Sequence, residues 1–127
     1  MDWQSLETFS FGDNPELADE LAGLVLSGKK TATCWAARQG LLTQVGKRMV
    51  MQDGAGRPLA IVETVELTQA RFPDVDAAFA YDEGEGDRSL AYWRKAHETY
   101  FSRLGQFTPD MLLWCERFRV VEIIDPA

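Results

Sequence analysis

Ser27-Gly28-Lys29-Lys30-Thr31-Ala32-Thr33-Cys34-Trp35 is where one hydrophobic period gives way to another. Before it, Leu17, Leu21, Leu24 and Val25 recur at helical spacing, with Asp13 or Asn14 placed to cap the helix and Pro15 at its first position. Gly28 stands where such a helix stops. After it, the residues alternate as in a strand, which puts Thr31, Thr33 and Trp35 on one face and Ala32, Cys34 and Ala36 on the other. A helix that runs into a strand through a turn rich in lysine and threonine predicts a mixed architecture.

The rest of the chain extends that reading. Phe9 and Phe11 flank a short extended lead-in. Residues 47–52 read as a strand, Asp53-Gly54-Ala55-Gly56 as a turn and Arg57 to Thr68 as its partner strand, so a hairpin spans 47–68. Phe72-Pro73-Asp74 opens a short helix that includes Val75, Ala78 and Phe79. Asp82-Glu83-Gly84-Glu85-Gly86-Asp87 reads as an acidic, glycine-interrupted loop. Asp87 or Ser89 caps a helix to about Leu104, whose apolar stripe is Leu90, Trp93, His97, Tyr100, Phe101 and Leu104. Met111 to Ile124 is a last strand, with Leu112, Trp114, Phe118 and Val120 on one side and Leu113, Cys115 and Val121 on the other. The strands do not alternate strictly with the helices. That predicts an α+β fold with a mostly antiparallel sheet, curled into a small barrel and flanked by helices.

A length of 127 residues fits one domain, 1–127. No apolar run reaches membrane-spanning length, so no membrane association is expected. Met1-Asp2-Trp3-Gln4 lacks the charged and apolar parts of a leader. Cys34 and Cys115 form no CxxC pair, so reduced thiols in a cytoplasmic chain are expected, with no zinc or other cofactor. A net charge of -7 argues against generic binding to long nucleic acid. The charge is segregated: residues 28–48 carry Lys29, Lys30, Arg38, Lys47 and Arg48 and no acid. A local positive region in an acidic chain suits a small ligand or a single nucleotide.

Several constellations carry possible chemistry. Thr33 becomes a nucleophile if a base takes its proton, and Lys30 serves if its pKa is lowered by burial or by its neighbour Lys29. Strict alternation sets Lys30 and Thr33 on opposite faces, so the chain must bend at 28–30 for them to meet. Glu83 and Glu85 suit general acid–base work or a divalent cation, and Asp87 suits capping. Glu63, on an apolar face, either enters a pocket or pairs with a base such as Lys30. His97 on its stripe is either a satisfied core residue or, with Trp93 and Arg94, a platform for a nucleobase.

Gly28-Lys29-Lys30-Thr31-Ala32-Thr33, Phe79-Ala80 with Glu83-Gly84-Glu85-Gly86-Asp87, and Tyr92-Trp93-Arg94-Lys95-Ala96-His97 occur in one order. Together they resemble the ASCH domain family, whose fold is similar to the PUA RNA-binding domain. The resemblance spans about Phe9 to Ile124. It implies a small β-barrel flanked by helices and, by likeness to its amidohydrolases, removal of the acetyl group from N(4)-acetylcytidine without metal. Carried over, Lys30 is the base, Thr33 the nucleophile and Glu83 the acid, with Glu85 as rival to Glu83. Lys29, Thr31, Trp35, Glu85, Trp93, Arg94 and His97 are the expected substrate contacts. In that mechanism Glu83 needs a raised pKa, and backbone amides near the turn hold the oxyanion. Other family members look like RNA-binding modules or ribonucleases. On that reading 28–48, Trp35 and Trp93 would meet single-stranded RNA, and Glu83, Glu85 and Asp87 would hold a metal ion.

Overall fold

The computed structural model describes residues 3–124; Met1 and Asp2, which belong to the leader reading, and residues 125–127 lie outside the described residues. Helix α1 (Pro15–Leu26) begins where Asn14 accepts a hydrogen bond from the Leu17 amide at 2.8 Å, with Pro15 in its first turn, and closes at Ser27. Gly28 then takes φ +84°, a left-handed conformation open to glycine, and turns the chain toward the sheet.

The described residues hold five strands, the first ahead of α1 and the rest after it: β1 (Thr8–Phe9), β2 (Ala32–Ala36), β3 (Arg48–Gln52), β4 (Pro58–Arg71) and β5 (Leu112–Ile123). They form one sheet in the order β1-β3-β4-β5-β2. Every pairing is antiparallel except β1 with β3. The hairpin expected over 47–68 is β3 and β4, but β4 runs on to Arg71 because its pairing with β5 continues to Arg71 opposite Leu112. Helix α2 (Ala77–Glu83) is capped by the Asp76 side chain, and α3 (Leu90–Arg103) by Ser89. Asp87 supports that cap one step earlier, accepting from the Ser89 amide at 2.9 Å.

Two apolar clusters fix the helices. Phe79, Trp93 and Phe101 from α2 and α3 pack with Ala32, Leu113 and Cys115 of β2 and β5. Ala22 and Val25 of α1 pack with Met51, Ala60, Val62 and Phe118. Each large side chain so buried contributes about 1.5–3 kcal/mol relative to exposure. Leu104, placed on the α3 stripe by its spacing, is instead exposed at the helix end. No helix among the described residues is long and apolar enough to cross a membrane.

The sheet is not closed into the barrel that was expected. Its edges are β1 and β2, and no ladder joins them. β1 has only two residues, both paired with β3. A cavity of about 290 Å³ occupies the space instead, with walls from all five strands, including Phe9, Thr33, Met49, Thr64 and Phe118. The sheet therefore wraps around a hollow while its edge strands, β1 and β2, stay apart.

Two distant turns are tied together beside that hollow. The Thr31 amide donates to the Asp82 carbonyl at 2.7 Å. Arg88 donates to the carbonyls of Tyr81 and Lys29, at 2.9 and 3.2 Å, while its guanidinium lies 3.6 Å from the centre of the Tyr81 ring. Arg88 holds φ +66°, a strained value for a side chain of its size, and these contacts offset the cost. Asp82 also forms an ion pair with Arg117 of β5.

Candidate active site

Lys30 leaves the α1–β2 turn inward. Its side chain is 1% exposed, and its ammonium donates to the Ala32 carbonyl at 2.9 Å, Glu83 Oε1 at 3.1 Å and Glu85 Oε2 at 3.0 Å. The sharp bend at Gly28 supplies the reversal that strict alternation denied. Glu83 is not in a loop, as its glycine neighbours suggested, but in the last turn of α2, with Gly84 as the left-handed cap. A Cβ on Gly84 would lie 2.4 Å from the Lys29 carbonyl oxygen. Glycine there lets the helix end abut the lysine turn, which is how a carboxylate 53 residues away reaches Lys30.

The other Glu83 oxygen, Oε2, accepts from the Trp93 indole at 2.7 Å and lies 3.4 Å from His97 Nε2. His97 stacks on Trp93 with ring centres 4.3 Å apart. Its Nδ1 lies 2.9 Å from the Trp93 carbonyl, which only accepts, so Nδ1 carries a proton. Nε2 facing a carboxylate then favours a second proton and a cationic ring. The site thus sets two carboxylates, Glu83 buried and Glu85 half-buried, against two cations.

The protonation states differ from those the sequence suggested. Burial pulls the Lys30 pKa down, but Glu83 and Glu85 outweigh it and hold the ammonium above the ordinary lysine value. Lys29 does not lower it: that side chain is on the surface, and the carboxylates dominate. Burial pushes the Glu83 carboxyl up, yet Lys30 and His97 bring it far below the usual carboxylate range. Glu83 is therefore ionised, not poised with a raised pKa. Burial lowers His97, and Glu83 more than restores it, leaving it raised. The turn amides expected to hold an oxyanion are already used: Gly28, Lys29 and Lys30 donate to carbonyls of α1, and Thr31 to Asp82.

Thr33 differs from its neighbours. Among the described residues no group hydrogen-bonds its hydroxyl, which sits at the junction of two hollows. One, of about 200 Å³, also contains Lys30, Glu83, Glu85 and His97. The other is the 290 Å³ cavity, walled by Trp35, Phe9, Phe11 and Phe118. The larger hollow lies at the lower end of the volume range of small-molecule sites, roughly 300–1,000 Å³.

Not every expected contact is at the site. Trp93 is 2% exposed and lines neither hollow; it positions Glu83. Arg94 is exposed and reaches the Pro73 carbonyl at 3.4 Å. Lys29 and Thr31 are exposed, Thr31 with its hydroxyl 3.4 Å from the Asp82 carbonyl. Glu63 pairs with Arg48 at 2.8 Å and Arg119 at 3.5 Å, not with Lys30. The basic segment is also dispersed: Lys30 is buried, Lys47 pairs with Glu7 at 3.0 Å and Arg48 with Glu63. Glu83, Glu85 and Asp87 do not converge as a metal cluster. The donor atoms of Cys34, Glu83 and His97 do lie within 4.8 Å of one another, but the cation against that carboxylate is Lys30.

The sequence reading missed Glu116, Thr64 and Thr43. Glu116 lies opposite Thr33 in the β2–β5 register and lines the larger hollow. It accepts from the Thr64 hydroxyl at 2.6 Å, and Thr64 is 2.8 Å from Thr43. A signal was present: position 116 is a carboxylate on the strand face that otherwise carries Leu112, Trp114 and Phe118. Burial raises the Glu116 pKa against the opposing pull of Thr64.

The ASCH domain family model matches residues 7–122. Among solved structures, an ASCH domain from Lactobacillus crispatus is 37% identical with a TM-score of 0.85, covering 94% of this chain and 82% of that one. A protein from Enterococcus faecalis is 35% identical with a TM-score of 0.82, covering 92% of this chain and 77% of that one. An ASCH protein from Zymomonas mobilis, 12% identical with a TM-score of 0.60 over 94% of this chain and 71% of that one, shares the fold. No curated protein matches the sequence.

Proposed function

This chain belongs to the ASCH domain family, and from that premise we propose that it is a cytoplasmic amidohydrolase acting on an acylated nucleoside such as N(4)-acetylcytidine. One observation carries the reading. A buried amine and carboxylate, Lys30 and Glu83, share a hollow with a threonine hydroxyl that has no protein partner among the described residues.

Because Lys30 is charged and Glu83 ionised, the lysine works as a relay. As the Thr33 oxygen bonds to the acyl carbon, its proton passes to Lys30, and Lys30 releases one of its own to Glu83 across 3.1 Å. Lys30 keeps its positive charge throughout and offsets the charge forming on the carbonyl oxygen. The C–N bond then breaks, and the departing amine takes the proton from Glu83. Water attacks the acyl-threonine ester and gives a proton back to Glu83. The ester C–O bond breaks, and the proton returned through Lys30 restores the hydroxyl. Trp93 and His97 hold Glu83 in place, and Glu85 holds Lys30.

The test is incubation of the purified protein with N(4)-acetylcytidine, with chromatographic detection of cytidine and acetate. Release by the native protein and its loss in Lys30→Ala, Thr33→Val and Glu83→Gln is the expected result. No release, or full turnover by Lys30→Ala, overturns the reading.

A further inference from the structure

We propose that Glu116 reads the Watson–Crick edge of a cytosine base, seating it in the larger hollow so that its acylated exocyclic nitrogen faces Thr33. The proposal rests on the nucleoside reading of the site and specifies how the base is chosen.

Three observations converge. Glu116 and Thr33 are directly opposed across β2 and β5, so their side chains leave the same face of the sheet with Cβ atoms about 4.5–5.5 Å apart. A base edge held by the carboxyl therefore brings its substituent to the threonine hydroxyl. The second observation is direction. Thr64 donates its single proton to Glu116 Oε2, so in the contact between Thr64 and Thr43 it is Thr43 that donates. Both threonines are buried, at 3% and 5% exposure, and the relay fixes Oε2 as an acceptor. Among the described residues nothing bonds Oε1. The third is environment: burial raises the Glu116 carboxyl above its ordinary value against the opposing pull of Thr64 and the Lys30 ammonium, Lys47 is the charged group that shares the lining of the hollow, and Phe9, Phe11, Trp35 and Phe118 supply apolar walls for a flat ring.

A carboxyl with its proton on Oε1 presents a donor beside an acceptor in one plane. Cytosine presents the complement: ring N3 accepts from Oε1–H, and the exocyclic N–H donates to the free lone pair of Oε2. An N(4)-acyl group leaves that N–H in place. Uracil reverses the order, and its N3–H would meet the Oε1 hydroxyl. Ionised Glu116 would lose the donor to N3.

The experiment measures cytidine and uridine binding by calorimetry to the native protein, Glu116→Gln and Glu116→Ala from about pH 5.5 to 8. Steady-state turnover of N(4)-acetylcytidine is measured beside it. Native protein is expected to bind cytidine more tightly as pH falls, and uridine about 10-fold or more weakly than cytidine. Glu116→Gln keeps a donor and an acceptor, so it retains affinity within about 3-fold and loses the pH dependence. Glu116→Ala weakens cytidine about 10-fold or more and raises KM more than it lowers kcat. Glu116→Ala binding cytidine as the native protein does, or Glu116→Gln losing affinity as fully as alanine, overturns the proposal. Turnover by the native protein in those cases leaves the amidohydrolase reading standing. Native protein that neither binds cytidine nor releases acetate ends both.

Discussion

Lys30 Nζ lies 3.1 Å from Glu83 Oε1, and each side chain is 1% exposed. An ion pair that far from water is held together by the absence of alternatives. Either partner alone would be an uncompensated charge inside the protein. The pair's bonds to Glu85, Trp93, His97 and the Ala32 carbonyl are what make the burial tolerable.

Glu83→Ala is expected to destabilise the protein by about 3–5 kcal/mol, because it leaves Lys30 and His97 facing one another's charge without Glu83 between them. Glu85→Ala removes a partner that is 21% exposed, so water can reach the freed side of Lys30, and is expected to cost less, about 1.5–3 kcal/mol. Urea denaturation of the two variants measures both. Equal losses would show that the two carboxylates share the burden evenly.

Thr33→Val keeps the shape of the side chain and removes a hydroxyl with no protein partner among the described residues. Stability is expected to stay within about 0.5 kcal/mol of the native value. Turnover is expected to fall roughly 10³-fold or more, as when a nucleophile is removed. A stable variant with native kcat would take the nucleophile role away from Thr33.

Stability should fall on both sides of a weakly acidic optimum. Glu83 has a folded pKa below its ordinary 4.5, so its contribution is full above 4.5 and is lost as pH falls through its depressed value. His97 has a folded pKa above its ordinary 6.5, so its contribution is full below 6.5 and is lost as pH rises through the raised value. Thermal melts across pH should show a decline above 6.5 that flattens in His97→Gln. An unchanged slope in that variant would mean the imidazole takes no second proton.

Gly84→Ala places a Cβ against the Lys29 backbone and forces alanine into φ +74°. Left-handed strain alone costs of order 1–3 kcal/mol, and the clash adds to it. Activity should fall further than in an alanine substitution at Gly23, where an added Cβ meets nothing within 4 Å. Comparing Tm and kcat for the two variants checks this.

The elements were largely legible because the local signals were strong. Asn14-Pro15, Ser27-Gly28 and Asp53-Gly54 marked boundaries by backbone chemistry that tertiary packing did not override. The open sheet was not legible, since closure depends on how far β1 extends and strand propensity does not set that. The membership of Lys30, Thr33 and Glu83 in one hollow followed from the resemblance, while their charges did not. Lys29, adjacent in sequence, suggested a depressed lysine; Glu83 and Glu85, distant in sequence, raise it. Trp93 and Arg94 were assigned to substrate by proximity to His97, but helix geometry turns Trp93 into the core and Arg94 to the surface. Glu116 went unread because a carboxylate in a strand that also carries Arg117, Arg119 and Glu122 looks like an ordinary surface position until its neighbours are known.

The unzipped seam between the first and second strands governs what can pass into this protein. Phe9, Ser10 and Phe11 stand on one lip, and Thr33, Cys34 and Trp35 on the other. A continuous ladder across that gap would satisfy more backbone and remove two vulnerable margins. It would also run across one wall of the larger hollow that Thr33 lines. The missing hydrogen bonds leave that side of the hollow unlaced, and passage there should be sensitive to whatever widens or narrows the gap between those six residues.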